Sequence, residues 1–401
     1  MTKSGSNRRN RFEAQGVLTL LLVFCVSFLV MDLVAGHIYN AVMQAKAEKA
    51  LGESREKGIY VPNTYYHHDL IPNAMIPEAK WGPASYSVFT NSLSFRDREV
   101  REVDTVSHNC RVVFIGDSFT FGVGIDYPKT FVGIIGAQLL NKGIEVLNAG
   151  VSGYCPSIYF RKIDHLMREA EVQFQELVVL LDISGPENET YYYEIGPLGN
   201  VIGKSSDWAR TIGEGSRSGI SFQVFRFLRD HTVLFRHLWW SVRDELAPPL
   251  IDLRRSRWTV DQDLFDSYGR DGLEKMKKPM DQLVTLLETK HIPLTIAVYP
   301  WPDQIWYQDE DSIQVHFWQK WSKEHNVTFI NLFPAFFNDP PRQVIKKYFI
   351  TGDMHWNEAG HSLAAQTFLS SYRKTTGHDM CRQDQTKTNS GRSWITSHVD
   401  R

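Results

Sequence analysis

Residues 111–124 read Arg-Val-Val-Phe-Ile-Gly-Asp-Ser-Phe-Thr-Phe-Gly-Val-Gly, an apolar run that ends abruptly at Gly116-Asp117-Ser118. Val112 to Ile115 have the β-branched and aromatic character of a strand buried on both faces. Gly116 permits a sharp exit from that strand. A serine at such a corner lies beyond the carboxyl end of a central strand, where open α/β sheets place their ligands. Far along the chain stands Asp353-Met354-His355. Together the two segments supply a serine, an imidazole and a carboxylate, the residue types of a nucleophile, its base and the group that orients the base.

Working outward, strands and helices alternate. Strand 111–116 precedes a helix near 127–142, a strand at Ile144 to Leu147 and a helix at about 157–170. In the last of these, Tyr159, Ile163, Leu166, Met167 and Ala170 fall at helical spacing. Leu177 to Leu181 is another continuous apolar strand. After a long interruption come a helix near 271–290, a strand at Pro293 to Val298, a helix at 311–324 and a strand at Val327 to Leu332. A final helix starts near Asn357, which has the chemistry of an N-cap. This alternation predicts a parallel sheet with helices on both faces, a three-layer α/β/α flavodoxin-like domain. Residues 185–268 break the rhythm with aromatic and charged helical stretches, Phe222 to Leu228 and Val233 to Val242. An insertion of this size forms either a lid or a helical subdomain that only packs.

Two further segments bear on chemistry. Asn148-Ala149-Gly150-Val151-Ser152-Gly153 follows the second strand. A glycine there lets the backbone approach a ligand and present its N–H. Acyl transfer needs at least two such donors aimed at the developing oxyanion, and the N–H groups of Ser118 and Gly153 are the candidates. Asp353 and His355 are two apart, so they project to one side of an extended segment. The carboxylate can then hold the imidazole while its other nitrogen takes the serine proton. Asp353, His355 and His361 are all metal-ligand types, but their spacing fits no strong zinc signature.

These segments resemble the SGNH hydrolases, also called GDSL esterases. Gly116-Asp117-Ser118 matches the first block, Asn148 to Gly153 the second and Asp353 to His355 the last. The resemblance covers about residues 110–180 and 290–372. It implies Ser118 as nucleophile, His355 as base, Asp353 as its orienter, and the N–H groups of Ser118 and Gly153 in the oxyanion hole. It calls for no cofactor and no metal. The third block, usually Gly-x-Asn-Asp, has no clean match: Asp182 ends the strand, and Asn188 has the right amide six residues later. Either is the expected third oxyanion residue. The last block is Asp-x-His-Trp rather than Asp-x-x-His, which resembles the form seen in polysaccharide O-acetyltransferases of this fold. Tyr299-Pro300-Trp301-Pro302 and Asn91 to Asp97 resemble segments of membrane-anchored envelope members. Trp301 is a candidate to stack on a sugar, against the alternative of a rigid turn. Asp117, beside the nucleophile, is the other candidate for substrate contact. The implied activity is O-acetyl ester hydrolysis on an envelope or secreted polysaccharide. The alternatives are acyl transfer to a sugar hydroxyl, or a non-catalytic glycan-binding or assembly component.

The first fifty residues set the location. Residues 1–11 hold Lys3, Arg8, Arg9 and Arg11 without an acid, and Val17 to Ala35 is apolar apart from Thr19, Ser27 and Asp32. Nineteen helical residues reach about 28 Å, enough to cross a hydrocarbon core. The basic cluster predicts a cytoplasmic N-terminus, with the rest of the chain outside. The expected plan is a basic tail at 1–16, a transmembrane anchor at 17–36, and a stalk and irregular flank at 37–105. The hydrolase-like domain follows at 106–380, and a disordered tail at 381–401. A cleaved signal peptide competes with the anchor, but the run is long for one and no small-x-small site follows it directly. The expected setting is a bacterial inner membrane with the catalytic domain periplasmic, and the expected partners are the membrane, an acylated glycan and polysaccharide-biosynthesis proteins. A net charge of −2 gives no electrostatic footprint for nucleic acid. Cys110, Cys155 and Cys381 are the cysteines beyond the span; their odd number suggests no disulfide framework.

Overall fold

The computed structural model describes residues 4–204 and 254–381 except 57, 82, 83 and 108, together with 227, 228, 231–234 and 237. The chain divides into two compact units, Met1–Gly58 with Ser206–Pro249, and Ile59–Ser205 with Leu250–Arg401. The helical stretches expected at Phe222 to Leu228 and Val233 to Val242 lie mostly outside the described residues, as does the tail from 382 onward.

In the first unit, residues Ser4–Glu56 form one helix, α1, which takes in the expected basic tail, span and stalk. Within its 28-residue stretch Gln15–Val42, the most apolar 18 residues have a mean hydropathy of 2.7. That is long and apolar enough to cross a membrane. Asp32 Oδ1 accepts from the N–H groups of Val233 and Leu234 at 2.9 Å each. The lone acid of the span therefore has a hydrogen-bonding role.

The second unit is built on an eight-stranded sheet. Five strands are parallel: β6 (Cys110–Ile115), β7 (Ile144–Asn148), β8 (Glu176–Leu181), β11 (Leu294–Val298) and β12 (Thr328–Asn331). Their spatial order is β7-β6-β8-β11-β12. That is the flavodoxin order 2-1-3-4-5, whose switch point lies between the strand carrying Ser118 and β8. β8 and β11 are buried at every position, which explains why they read as unbroken apolar runs. Helices flank the sheet. Phe131–Leu140 packs with Glu358–Thr376, and Pro156–Arg168 with Arg270–Glu288. Asn357 caps the last helix through Oδ1, which accepts from Gly360 N–H at 3.1 Å.

Residues 61–105 are not an irregular flank. They contain the hairpin β1 (Tyr60–Asn63) and β2 (His67–Leu70), then β3 (Met75–Trp81), β4 (Ala84–Thr90) and β5 (Arg96–Asp97). The last three are antiparallel and extend the main sheet beyond β7, through the pairing of Arg96 with Asn148. Lys162 ties β2 to the core. It is fully buried, and its Nζ donates to Asp69 Oδ1 at 2.8 Å. A second short hairpin, β9 (Tyr193–Ile195) with β10 (Val201–Gly203), occupies the start of the expected insertion.

The cysteine expectation is also corrected. Cys110, which opens β6, is disulfide-bonded to Cys381, with Cα atoms 5.9 Å apart. The odd count misled because Cys155 is a buried thiol with a packing role. The bridge joins the first parallel strand to the segment after the last helix, 271 residues on.

Candidate active site

Ser118 begins a four-residue helical turn directly beyond β6. The corner is tight: a Cβ on Gly116 would come within 2.1 Å of Thr120 Oγ1 and 3.1 Å of the Leu180 carbonyl. Arg96 fixes the far side of the turn. Its buried Nη1 donates to the carbonyls of Phe121 at 2.5 Å and Gly122 at 2.6 Å, and its Nη2 to that of Ile125 at 2.5 Å. Burial lowers its pKa to about 10, against the pull of nearby tyrosines. The Asn91 to Asp97 segment therefore has a structural explanation. Asn91 Oδ1 accepts from the N–H groups of Leu93 and Phe95, and its Nδ2 donates to Asp97, folding the segment so that Arg96 points inward.

The loop between Phe349 and Trp356 brings Asp353 and His355 to the same sheet edge. His355 Nε2 is 2.8 Å from Ser118 Oγ, and its Nδ1 is 2.5 Å from Asp353 Oδ1. The second carboxylate oxygen, Oδ2, accepts from Trp81 Nε1 at 2.9 Å. Burial raises the Asp353 pKa, but the His355 and Trp81 bonds outweigh it and hold the carboxyl below its usual range. Trp81 also stands edge-on to the imidazole, ring centres 5.2 Å apart, while Phe119 packs on it at 5.0 Å. Ser118 is 8% exposed and His355 4%, so both side chains are largely buried.

His361 is separate from this set. Its buried Nδ1 accepts from Phe131 N–H at 3.0 Å, and burial lowers its pKa to about 3. It caps a helix, and no metal-ligating cluster occurs among the described residues.

The oxyanion side differs from expectation. Gly153 sits at φ +85°, a conformation that favours glycine. Its N–H and that of Ser118 converge, but on Asp117. Asp117 Oδ1 accepts from Ser118 N–H at 2.6 Å and from Gly153 N–H. Asp117 is 4% exposed, so it is no open substrate contact. Burial and the neighbouring Asp182 push its pKa up to about 7, against the opposing effects of Arg255 and the two N–H bonds.

Neither third-block candidate is placed as a simple donor. Asp182 accepts from Ser184 N–H at 2.7 Å, Ser184 Oγ at 2.5 Å, Tyr299 Oη at 2.5 Å and Trp301 Nε1 at 3.1 Å. Both of its carboxyl oxygens are engaged as acceptors. Asn188 does present an amide. Its Oδ1 accepts from Arg255 Nη2 at 2.9 Å, leaving a buried Nδ2 without a partner. Trp301 is only 2% exposed, held by Asp182 and stacked on Phe119 at 5.7 Å, so it is a wall of the site and offers no free face to a sugar.

Sequence reasoning missed Trp81, Arg96 and Arg255. Only Arg96 lay in a segment already singled out. Arg255, at the end of the insertion, lies over the Trp301 ring at 5.8 Å and pairs with Glu187 at 3.3 Å.

The fold is a three-layer α/β/α unit whose sheet edge carries a hydrogen-bonded Ser118–His355–Asp353 series. Its structure is similar to that of a lipolytic protein of the G-D-S-L family from Desulfitobacterium hafniense, at 14% identity and a TM-score of 0.36 over 66% of this chain and 99% of that one. It is also similar to a catalytic mutant of an acetylxylan esterase from Geobacillus stearothermophilus, at 15% identity and a TM-score of 0.34 over 67% and 96%. A third is the esterase EstA from Pseudoalteromonas, at 10% identity and a TM-score of 0.36 over 67% and 99%. No protein-family profile and no curated protein sequence matches the chain.

Proposed function

We propose that this protein is a serine-dependent ester hydrolase that works through an acyl-enzyme. The observation that carries the reading is the continuous series Ser118 Oγ, His355 Nε2, His355 Nδ1, Asp353 Oδ1, with separations of 2.8 and 2.5 Å. Ser118 Oγ attacks the ester carbonyl and forms a C–O bond while its proton passes to His355 Nε2. The tetrahedral intermediate collapses, the ester C–O bond breaks, and His355 returns the proton to the leaving alcohol. Water then repeats the sequence on the acyl-enzyme and releases the carboxylic acid. Asp353 holds the imidazole tautomer with Nδ1 protonated, and Trp81 holds Asp353. The N–H groups of Ser118 and Gly153, once free, stabilise the oxyanion.

The preferred substrate is a small acyl ester, most simply acetyl, on an envelope or secreted glycan. The low exposure of Ser118 favours a short acyl group. The apolar helix α1 with a basic start supports an anchor whose N-terminus is cytoplasmic. The Cys110–Cys381 disulfide supports an oxidising compartment for the second unit. Transfer to a sugar hydroxyl is a second reading, favoured by the low exposure of the serine–imidazole pair, which limits water. The full chain in detergent is incubated with an acetyl ester, with and without an oligosaccharide acceptor. Released acetate regardless of acceptor supports hydrolysis; acetylated oligosaccharide supports transfer. A Ser118→Ala variant that retains either activity contradicts both.

A further inference from the structure

We propose that the Asp117 carboxylate is the resting occupant of the oxyanion hole, so that it competes with the substrate's acyl oxygen and the hole is itself a carboxylate-binding site. The inference rests on Ser118 acting as the nucleophile. Its observation is the convergence of two N–H groups from different strand ends, those of Ser118 and Gly153, on the single oxygen Oδ1 of Asp117. An anionic oxygen between two backbone donors is the arrangement a tetrahedral oxyanion requires.

Helix capping does not account for this contact. An N-cap side chain ordinarily accepts from the second or third N–H of the helix. Asp117 instead accepts from the first, Ser118, and from Gly153, 36 residues away. Its backbone carbonyl already serves the turn by accepting from Phe121 N–H at 3.0 Å. The position is also costly for a carboxylate, being buried and beside Asp182, a neighbour that disfavours a second negative charge. A carboxylate retained in an unfavourable place is held there by the two donors.

The consequence is competition. To enter, the acyl oxygen must take over the Gly153 and Ser118 N–H groups, and the Asp117 side chain must rotate off them. Small monocarboxylates, including the acid released by ester cleavage, present the same oxygen and fit the same donors once the internal carboxylate is shortened. Neutralising Asp117 weakens the occupant, because hydrogen bonds to an ionised acceptor are about twice as strong as neutral ones.

The test uses the full-length chain in detergent and follows labelling of Ser118 by a fluorophosphonate in wild type, Asp117→Asn and Asp117→Ala. The expected result is labelling on the order of 10-fold faster in Asp117→Asn and faster again in Asp117→Ala. Acetate at millimolar concentration slows labelling of Asp117→Ala but leaves wild type unaffected. Labelling of both variants at or below the wild-type rate, with unchanged thermal midpoints, overturns the proposal. If the variants fail to fold, the wild-type phosphonyl adduct decides. A phosphonyl oxygen on Ser118 and Gly153 N–H, with Asp117 turned away, supports the inference; Asp117 still seated on both overturns it. No labelling of any form overturns the nucleophile reading itself, a different result from labelling that Asp117 does not control.

Discussion

Ser118 stands between two halves of one site that are finished to different degrees. On its side-chain face, Oγ, His355, Asp353 and Trp81 form a series in which each hydrogen-bonding group has a complementary partner. On its backbone face, the same residue's N–H is committed to Asp117, and Asp182 beside it is saturated by its own neighbours. On the function proposed above, the first half is already assembled for proton transfer in the resting chain. On the same proposal, the second must rearrange before it can hold an oxyanion.

The contrast can be broken from the assembled side first. Asp353→Asn leaves the shape intact but favours the wrong imidazole tautomer, and kcat should fall by roughly 10⁴. A loss below 10-fold, measured on an acetyl ester, would show that the series is structural only. Next in size is Arg96. Arg96→Met leaves the Phe121 and Ile125 carbonyls without this donor behind the Ser118 turn and should lower unfolding stability by about 3 kcal/mol. Denaturant unfolding of the full chain measures this, and an unchanged midpoint would remove Arg96 from the support of the site.

Smaller effects sharpen the comparison. Trp81→Phe removes the bond to Asp353 Oδ2 while keeping an aromatic ring against His355, and should cost kcat about 10-fold or more, as outer-shell losses do. The loss should appear in kcat rather than KM, because Trp81 orients the carboxylate and does not bind substrate. The pH dependence of stability tests the packing beside the site. His361 has its pKa lowered to about 3, below its unfolded value near 6.5, so the unfolded state binds more protons between those limits. Its contribution is full above pH 6.5 and is lost as pH falls toward 3. Asp117, raised to about 7, has the opposite sign: its folded form binds more protons between about 4 and 7, so stability falls as pH rises through that window. Asp117→Asn should flatten the second slope and leave the first, as read from unfolding midpoints across pH.

What could be read in advance follows the same division. The parallel core was legible because strands buried on both faces carry unbroken apolar runs, as Leu177 to Leu181 does. That Ser118, His355 and Asp353 could meet was legible because two short motifs hold them, one directly beyond a strand and one in a loop at the same sheet edge. Strands β3 to β5 were hidden. Met75–Trp81 is largely exposed at the sheet edge, and Arg96–Asp97 is a two-residue strand whose charged side chains are buried by hydrogen bonds. The disulfide was hidden because parity gives no partner once Cys155 is set aside for packing. The direction of the Asp117 side chain was hidden because spacing places a residue at a corner without fixing its rotamer. For the same reason Trp301, although placed at the correct sheet edge, turned inward to Asp182.

The central claim is that Ser118 is a nucleophile activated by His355. Mass mapping of the full-length chain after fluorophosphonate treatment at neutral pH tests it most directly. The expected result is a single adduct on Ser118, lost in Ser118→Ala and strongly slowed in His355→Ala. An unlabelled chain, or an adduct that persists in Ser118→Ala, would contradict it.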